Sequence, residues 1–178
     1  MDIVAHALWT GAGALAVRRK THRRIPVVAT ALWGTFPDVV AFGPMVAAGL
    51  WVLLTTGHVP GHGARLHIGL PLYQMSHSLL VFGAIYALVS LLARRPVIAM
   101  LGWMVHILID IPTHSQSYYA TRVFWPLSNW GVDGLPWWTR WFWITTYAAL
   151  AIVYGLMWRK GWFRRERRLD EVEAARPG

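Results

Sequence analysis

No cysteine occurs anywhere in the chain. Disulfide staples and thiolate metal sites are therefore excluded, and a metal would have to be held by imidazole and carboxylate. Charge is also scarce: only 14% of the 178 residues are charged, and just eight are acidic. A soluble domain of this length needs more polar side chains to cover its surface. Internal repeats and low-complexity segments are absent too.

What is present points to a bilayer. The chain is 56% hydrophobic, its mean hydropathy is +0.39, and its 12 tryptophans accompany long apolar runs. The formal net charge of +9 would suit a nucleic-acid partner, but the placement of the charges argues against one. Thirteen of the 17 Lys and Arg fall in three clusters: Arg18 to Arg24, Arg94–Arg95, and Arg159 to Arg168. Each cluster flanks an apolar run, as short cytoplasmic segments do under the positive-inside rule. The expected partner is the bilayer of the inner (cytoplasmic) membrane, with no nucleic acid.

The pattern predicts an all-α, polytopic membrane helix bundle of about five spanning helices. They are expected over Ile3 to Val17, Ile25 to Phe36, Ser76 to Ala93, Val97 to Ile111 and Trp141 to Trp158. The N-terminus is then outside and the C-terminus cytoplasmic. Positive charges follow the first apolar run, the reverse of a cleaved signal peptide, so this run is read as a mature helix. Pro37-Asp38 is expected to end the second helix. The apolar stretch Val39 to Thr56 contains Pro44, Gly43 and Gly49, and a sixth full span would put Arg94–Arg95 on the wrong side. It is read as a re-entrant or interfacial segment. Residues 1–163 form one transmembrane domain and 164–178 a charged cytoplasmic tail. Gly57 to Pro71 and Thr113 to Arg140 read as outer loops.

Within this topology, polar groups gather at one depth. His6, Asp38, His77, His106 and Asp110 lie 11 to 17 residues from the nearest cytoplasmic arginine. On helices that is roughly 16–26 Å above the positive layer. His106 and Asp110 are spaced i, i+4 and share a helix face. Pro112 should end or kink that helix, leaving His114 free to turn back. Intramembrane ionisable groups persist with a partner or a function. A set of structural hydrogen-bonding groups is one reading. The other is a divalent-metal site, Zn²⁺ first, with Mn²⁺ or Fe²⁺ as alternatives. On that reading Asp38, His77, His106 and Asp110 are the ligands, and His6 or His114 completes the set or serves as general base. Asp38 and His106 must then lie within about 12 Å, the reach of bridging cations. Arg65, Arg122 and Arg140 are the outer basic residues that could hold an anionic substrate group. His58, His62 and His67 read as a polar loop, or else a substrate lid. Ser76 and Ser78 read as helix caps more readily than nucleophiles.

These residues also carry a resemblance. His6, Pro37-Asp38, SHSLL at Ser76 to Leu80, HILID with Thr113 from His106, and FWPLS at Phe124 to Ser128 resemble, in order and spacing, the YdjM-type inner-membrane proteins. That family is described as metal-dependent hydrolases, one branch being LexA-regulated. Its members often read PDxDH where this chain has PDVVA, and HRGxTHS where it has LYQMSHS. Val40, Ala41, Leu72 and Tyr73 thus stand at positions of potential ligands and of a potential phosphate-binding Arg. The resemblance implies a membrane-embedded hydrolase of a phosphoester or lipid ester. The alternative is a non-catalytic membrane protein, a metal or proton conduit or a partner subunit, using the same cluster.

Overall fold

The computed structural model describes residues 1–58, 70–117 and 119–163. Arg65, His62, His67 and the charged tail from residue 164 lie outside them. Among the described residues the chain is all-helical, with seven α-helices and no strand.

Helix α1, Ile3–Thr21, begins at Asp2, whose carboxylate accepts from the amides of Val4 (3.1 Å) and Ala5 (3.0 Å). Such a cap is worth about 1 kcal/mol. The Tyr147 hydroxyl donates to the same oxygen at 2.9 Å, which pins the last helix to the start of the first. Arg18, Arg19 and Lys20 fill the final turn of α1, where the exposed carbonyls favour cations.

The next segment differs from the sequence expectation. Helix α2, Val27–Trp33, has only seven residues, and α3, Phe36–Thr56, starts directly after it. Pro37 therefore opens a helix rather than closing one. In the first turn the missing proline N–H removes no hydrogen bond. Nor is Val39 to Thr56 interrupted: α3 is one 21-residue helix that runs through Pro44. In lipid a helix keeps its remaining backbone bonds around a proline because no water competes for them. The buried residues of α3, Pro37, Asp38 and Ala41, all lie near its start. Val46, Leu50, Trp51 and Leu54 face outward, as a lipid-contacting helix requires.

The helix expected over Ser76 to Ala93 begins at Leu79, and a separate short helix precedes it. Helix α4, Leu70–Ser76, and α5, Leu79–Leu92, meet at a 60° bend. Ser78 sits in the break with extended backbone and caps α5, accepting from Leu80 (3.2 Å) and Val81 (3.3 Å). Its hydroxyl donates to the Trp125 carbonyl at 2.6 Å. Ser78 is thus the cap that the sequence suggested. After α5 the chain reverses through Arg94 in the left-handed region (φ 52°), and a short 3₁₀ turn, Ile98–Met100, leads into α6, Leu101–Thr113. Pro112 lies in the last turn of α6, which stops at His114 in extended conformation. Helix α7, Arg140–Arg159, matches its expected bounds closely. Among the described residues, α3 and α7 are long and apolar enough to cross a membrane, and the bent α4–α5 pair makes a third if taken as one span.

One core joins α5, α6 and the loop between α6 and α7 through Phe82, Met100, Trp103, Ile107 and Val123. Two smaller clusters bind α1 to α7 through Ala5 and Leu150, and through Ala12, Leu15 and Met157. Helices α1, α2 and α6 meet at glycine. A Cβ on Gly102 would lie 2.0 Å from the Thr30 carbonyl oxygen, and one on Gly34 would lie 2.5 Å from Thr10 Oγ1. The backbones thus pack in direct contact, the small-residue packing of membrane helices. His6 lies one turn before Thr10 and His106 one turn after Gly102, so the crossing sets both histidines at one level. Gly102→Ala is expected to destabilise the protein by about 1–3 kcal/mol, because a carbonyl cannot move aside as a side chain does. Gly83→Ala, with nothing within 4 Å of the new Cβ, is expected to be neutral. Thermal melts of both variants in detergent check the contrast.

Candidate metal centre

Three elements deliver four side chains to one buried point: Asp38 from the first turn of α3, His77 from the α4–α5 break, and His106 and Asp110 from α6. One ligand atom from each lies within 4.8 Å of all the others. The requirement that Asp38 approach His106 is met, with Asp38 Oδ1 3.7 Å from His106 Nε2. The i, i+4 pair on α6 faces inward as its spacing predicted. His77 and His106 are fully buried, Asp110 is 1% exposed, and Asp38 at 7% is the most accessible of the four.

Backbone carbonyls fix the imidazoles. His106 Nδ1 is 2.6 Å from Gly34 O, and His77 Nδ1 is 3.0 Å from Tyr73 O. A carbonyl only accepts, so each Nδ1 carries a proton, and in the neutral form of either ring Nε2 is the lone pair that can bind a metal. These two Nε2 atoms are 3.0 Å apart. Asp110 Oδ2 lies 3.1 Å from His106 Nε2 and 3.3 Å from His77 Nε2, and has no hydrogen-bond partner. Asp38 Oδ1 is 3.6 Å from His77 Nε2. With both rings neutral, every atom facing the centre is an acceptor and buried. Such a set requires positive charge between the ligand atoms, from a proton on an imidazole or from a bound cation.

The donor set fits a divalent metal. Two imidazoles and two carboxylates suit Zn²⁺, Mn²⁺ or Fe²⁺ and offset its charge. With bonds of about 2.0–2.2 Å, neighbouring donors around a tetrahedral ion sit about 3.3–3.6 Å apart. The contacts of 3.0 to 3.7 Å found here straddle that spacing. The carbonyls on Nδ1 supply the outer support that orients metal-ligating histidines.

Around these four, the sequence analysis missed several supports. Trp103 Nε1 donates to Ser76 O at 2.6 Å and holds the α4–α5 break against α6. Ser76 Oγ donates to Pro37 O at 3.1 Å and lies 3.0 Å from His77 Nδ1, so it positions His77 from behind. The Tyr73 ring stacks on His77, with centroids 3.8 Å apart, and its hydroxyl is 3.0 Å from Thr121 Oγ1. The acceptors at Gly34 and Tyr73 are main-chain atoms, which no residue type announces.

Two further histidines expected at the site reach Asp110. The His6 ring stacks on His106 at 3.6 Å, with Nε2 2.9 Å from Asp110 Oδ1, and His114 Nδ1 is 3.3 Å from the same oxygen. The outer histidine His58 does not join them. It contacts Thr56 O at the far end of α3, about 30 Å of helix beyond Asp38. Arg122 donates to Asn129 Oδ1, and Arg140 opens α7 at an exposed position. Neither bonds to the cluster, and Arg65 lies outside the described residues.

Asp110→Asn keeps the shape of the side chain but turns an acceptor into a donor, and is expected to abolish stoichiometric metal uptake. Ser76→Ala, which removes only the support behind His77, is expected to weaken affinity about tenfold. Equilibrium dialysis of the purified variants with Zn²⁺ reads both effects, and an unchanged Asp110→Asn protein would contradict the assignment of Asp110 as a ligand.

No family model, curated protein or solved structure matches this chain, so the centre is read from its own geometry.

Proposed function

We propose that the chain is a membrane-embedded, metal-dependent hydrolase that acts near the outer interface of the inner membrane, on a phosphoester or lipid ester. The observation that carries this reading is the buried convergence of Asp38, His77, His106 and Asp110, with one ligand atom from each within 4.8 Å of the others. When bound there, a divalent cation supplies Lewis acidity, which lowers the pKa of water from 15.7 to about 7 and polarises a substrate oxygen. The chain's own residues supply the rest. Gly34 O and Tyr73 O hold the two imidazoles in the tautomer that binds. Asp38, the most exposed of the four, marks the side from which a substrate approaches. His6 and His114 stand beside the other oxygen of Asp110, placed to complete the coordination or to take a proton from attacking water.

On this reading α1 and α6 end inside the membrane around the site, and the N-terminus is outside. An amphipathic substrate then needs no exit from the bilayer. Arg122 and Arg140 belong to the outer side, where an anionic headgroup lies. The chain would be a YdjM-type protein in which Val40, Ala41, Leu72 and Tyr73 replace some of that family's polar residues.

The competing reading, a metal or proton conduit, needs ionisable groups continuing toward the basic clusters. Among the described residues, the buried ionisable side chains other than tyrosine are His6, Asp38, His77, His106, Asp110 and His114, all at the centre. That favours a one-sided pocket. The test is hydrolysis of bis(p-nitrophenyl) phosphate and of phospholipid in nanodiscs. Turnover is expected with Zn²⁺ or Mn²⁺, to be lost on chelation, restored by metal, and absent in Asp38→Ala. Purified protein that neither contains nor takes up metal would refute the proposal.

A further inference from the structure

Asp110 divides its carboxylate between two sets of nitrogen. Oδ2 faces His77 and His106 and belongs to the four-residue set. Oδ1 faces away from it, with His6 Nε2 at 2.9 Å, the Met1 nitrogen at 2.9 Å, His114 Nδ1 at 3.3 Å and the Thr113 hydroxyl at 3.3 Å.

His6 is the unexplained member. Its ring is fully buried, and neither ring nitrogen has a hydrogen-bond partner. The 2.9 Å approach of Nε2 to Asp110 Oδ1 is short but off the hydrogen-bond line. An imidazole buried in this way forfeits about 1–3 kcal/mol unless something else engages its polar edge. A cation shared with the carboxylate does so, because two ligands of one ion approach each other edge to edge rather than donor to acceptor. The stack on His106, with planes 21° apart, holds the two rings nearly parallel. Each presents Nε2 to a different oxygen of the same aspartate.

We propose that Asp110 bridges two divalent cations, the second held by Asp110 Oδ1, His6 and His114. This rests on the metal reading of the four-residue set and extends it. The Met1 ammonium pairs with Oδ1 at 2.9 Å, and His114 Nδ1 is 3.3 Å from the Asp110 main-chain oxygen; the second cation displaces the ammonium, and His114 gives up its carbonyl contact on ligating. A carboxylate spanning two cations places one beside the attacking water and the other beside the substrate oxygen, the arrangement used for in-line displacement at phosphorus. Phosphoester is therefore the substrate class this site favours over carboxylic ester.

The test uses Mn²⁺ alone as probe, on the full chain purified in nanodiscs, with metal content and electron paramagnetic resonance as readouts. Wild type is expected to bind two Mn²⁺ per chain and to show an exchange-coupled spectrum. His6→Asn and His114→Gln, made separately so that one misfolded variant does not decide the matter, are each expected to bind one, with an uncoupled six-line spectrum. A wild-type protein that binds a single uncoupled Mn²⁺ would overturn the bridging role and leave the four-residue site standing. A protein that binds none would overturn both. Two coupled ions that persist in both variants would remove His6 and His114 from the second position.

Discussion

Two imidazoles whose Nδ1 protons are committed to main-chain carbonyls must turn their lone pairs somewhere, and here they turn them toward each other. The 3.0 Å between His77 Nε2 and His106 Nε2, with carboxylate oxygens on two sides, is repulsive in the absence of positive charge. In a low-dielectric interior that repulsion is not screened by water. Much of the rest of the molecule holds this arrangement in place: the Trp103 bond to the α4–α5 break, the Ser76 bridge to Pro37, and the glycine contacts that bring α2 against α6.

Holding it requires backbone near the centre, and the fold supplies helix ends. Helices α1, α3 and α5 begin near the cluster and α6 ends there. Helix ends carry main-chain groups without intrahelical partners, so the Gly34 carbonyl beyond α2 is free to accept from His106. The break between α4 and α5 follows the same logic: it leaves the Ser76 carbonyl free to accept from Trp103 Nε1. The Tyr73 carbonyl accepts both the last amide of the α4 ladder, from His77, and the His77 ring.

Much of the centre was legible in the sequence, because expensive groups in an apolar chain stand out. His106 and Asp110 on one face, Asp38 and His77 at the same depth, the Ser78 cap and the bounds of α7 all follow from spacing and charge placement. What escaped was of two kinds. Pro37 and Pro44 were read with the rules of water, where proline punctuates helices; α3 starts at one and passes through the other. The acceptors at Gly34 and Tyr73 escaped because a carbonyl has no signature in the one-letter code, and its availability depends on where helices stop. Trp103 was hidden among 12 tryptophans, most of which have no part in the site.

The tight reversal at Arg94 has a consequence for how this chain can vary. Arg94 N reaches Leu91 O and Arg95 N reaches Ser90 O, both at 3.1 Å, so the chain turns sharply on leaving α5. The two helices act as the arms of a caliper, with His77 just before the first turn of α5 and His106 and Asp110 on α6 as its tips. Deleting one residue from either arm would swing its tip about 100° around the helix axis and shift it about 1.5 Å along it. Substitutions on the lipid-facing sides of these arms can be numerous, but their lengths are fixed, and changes in chain length fall outside the stretch from Tyr73 to His114.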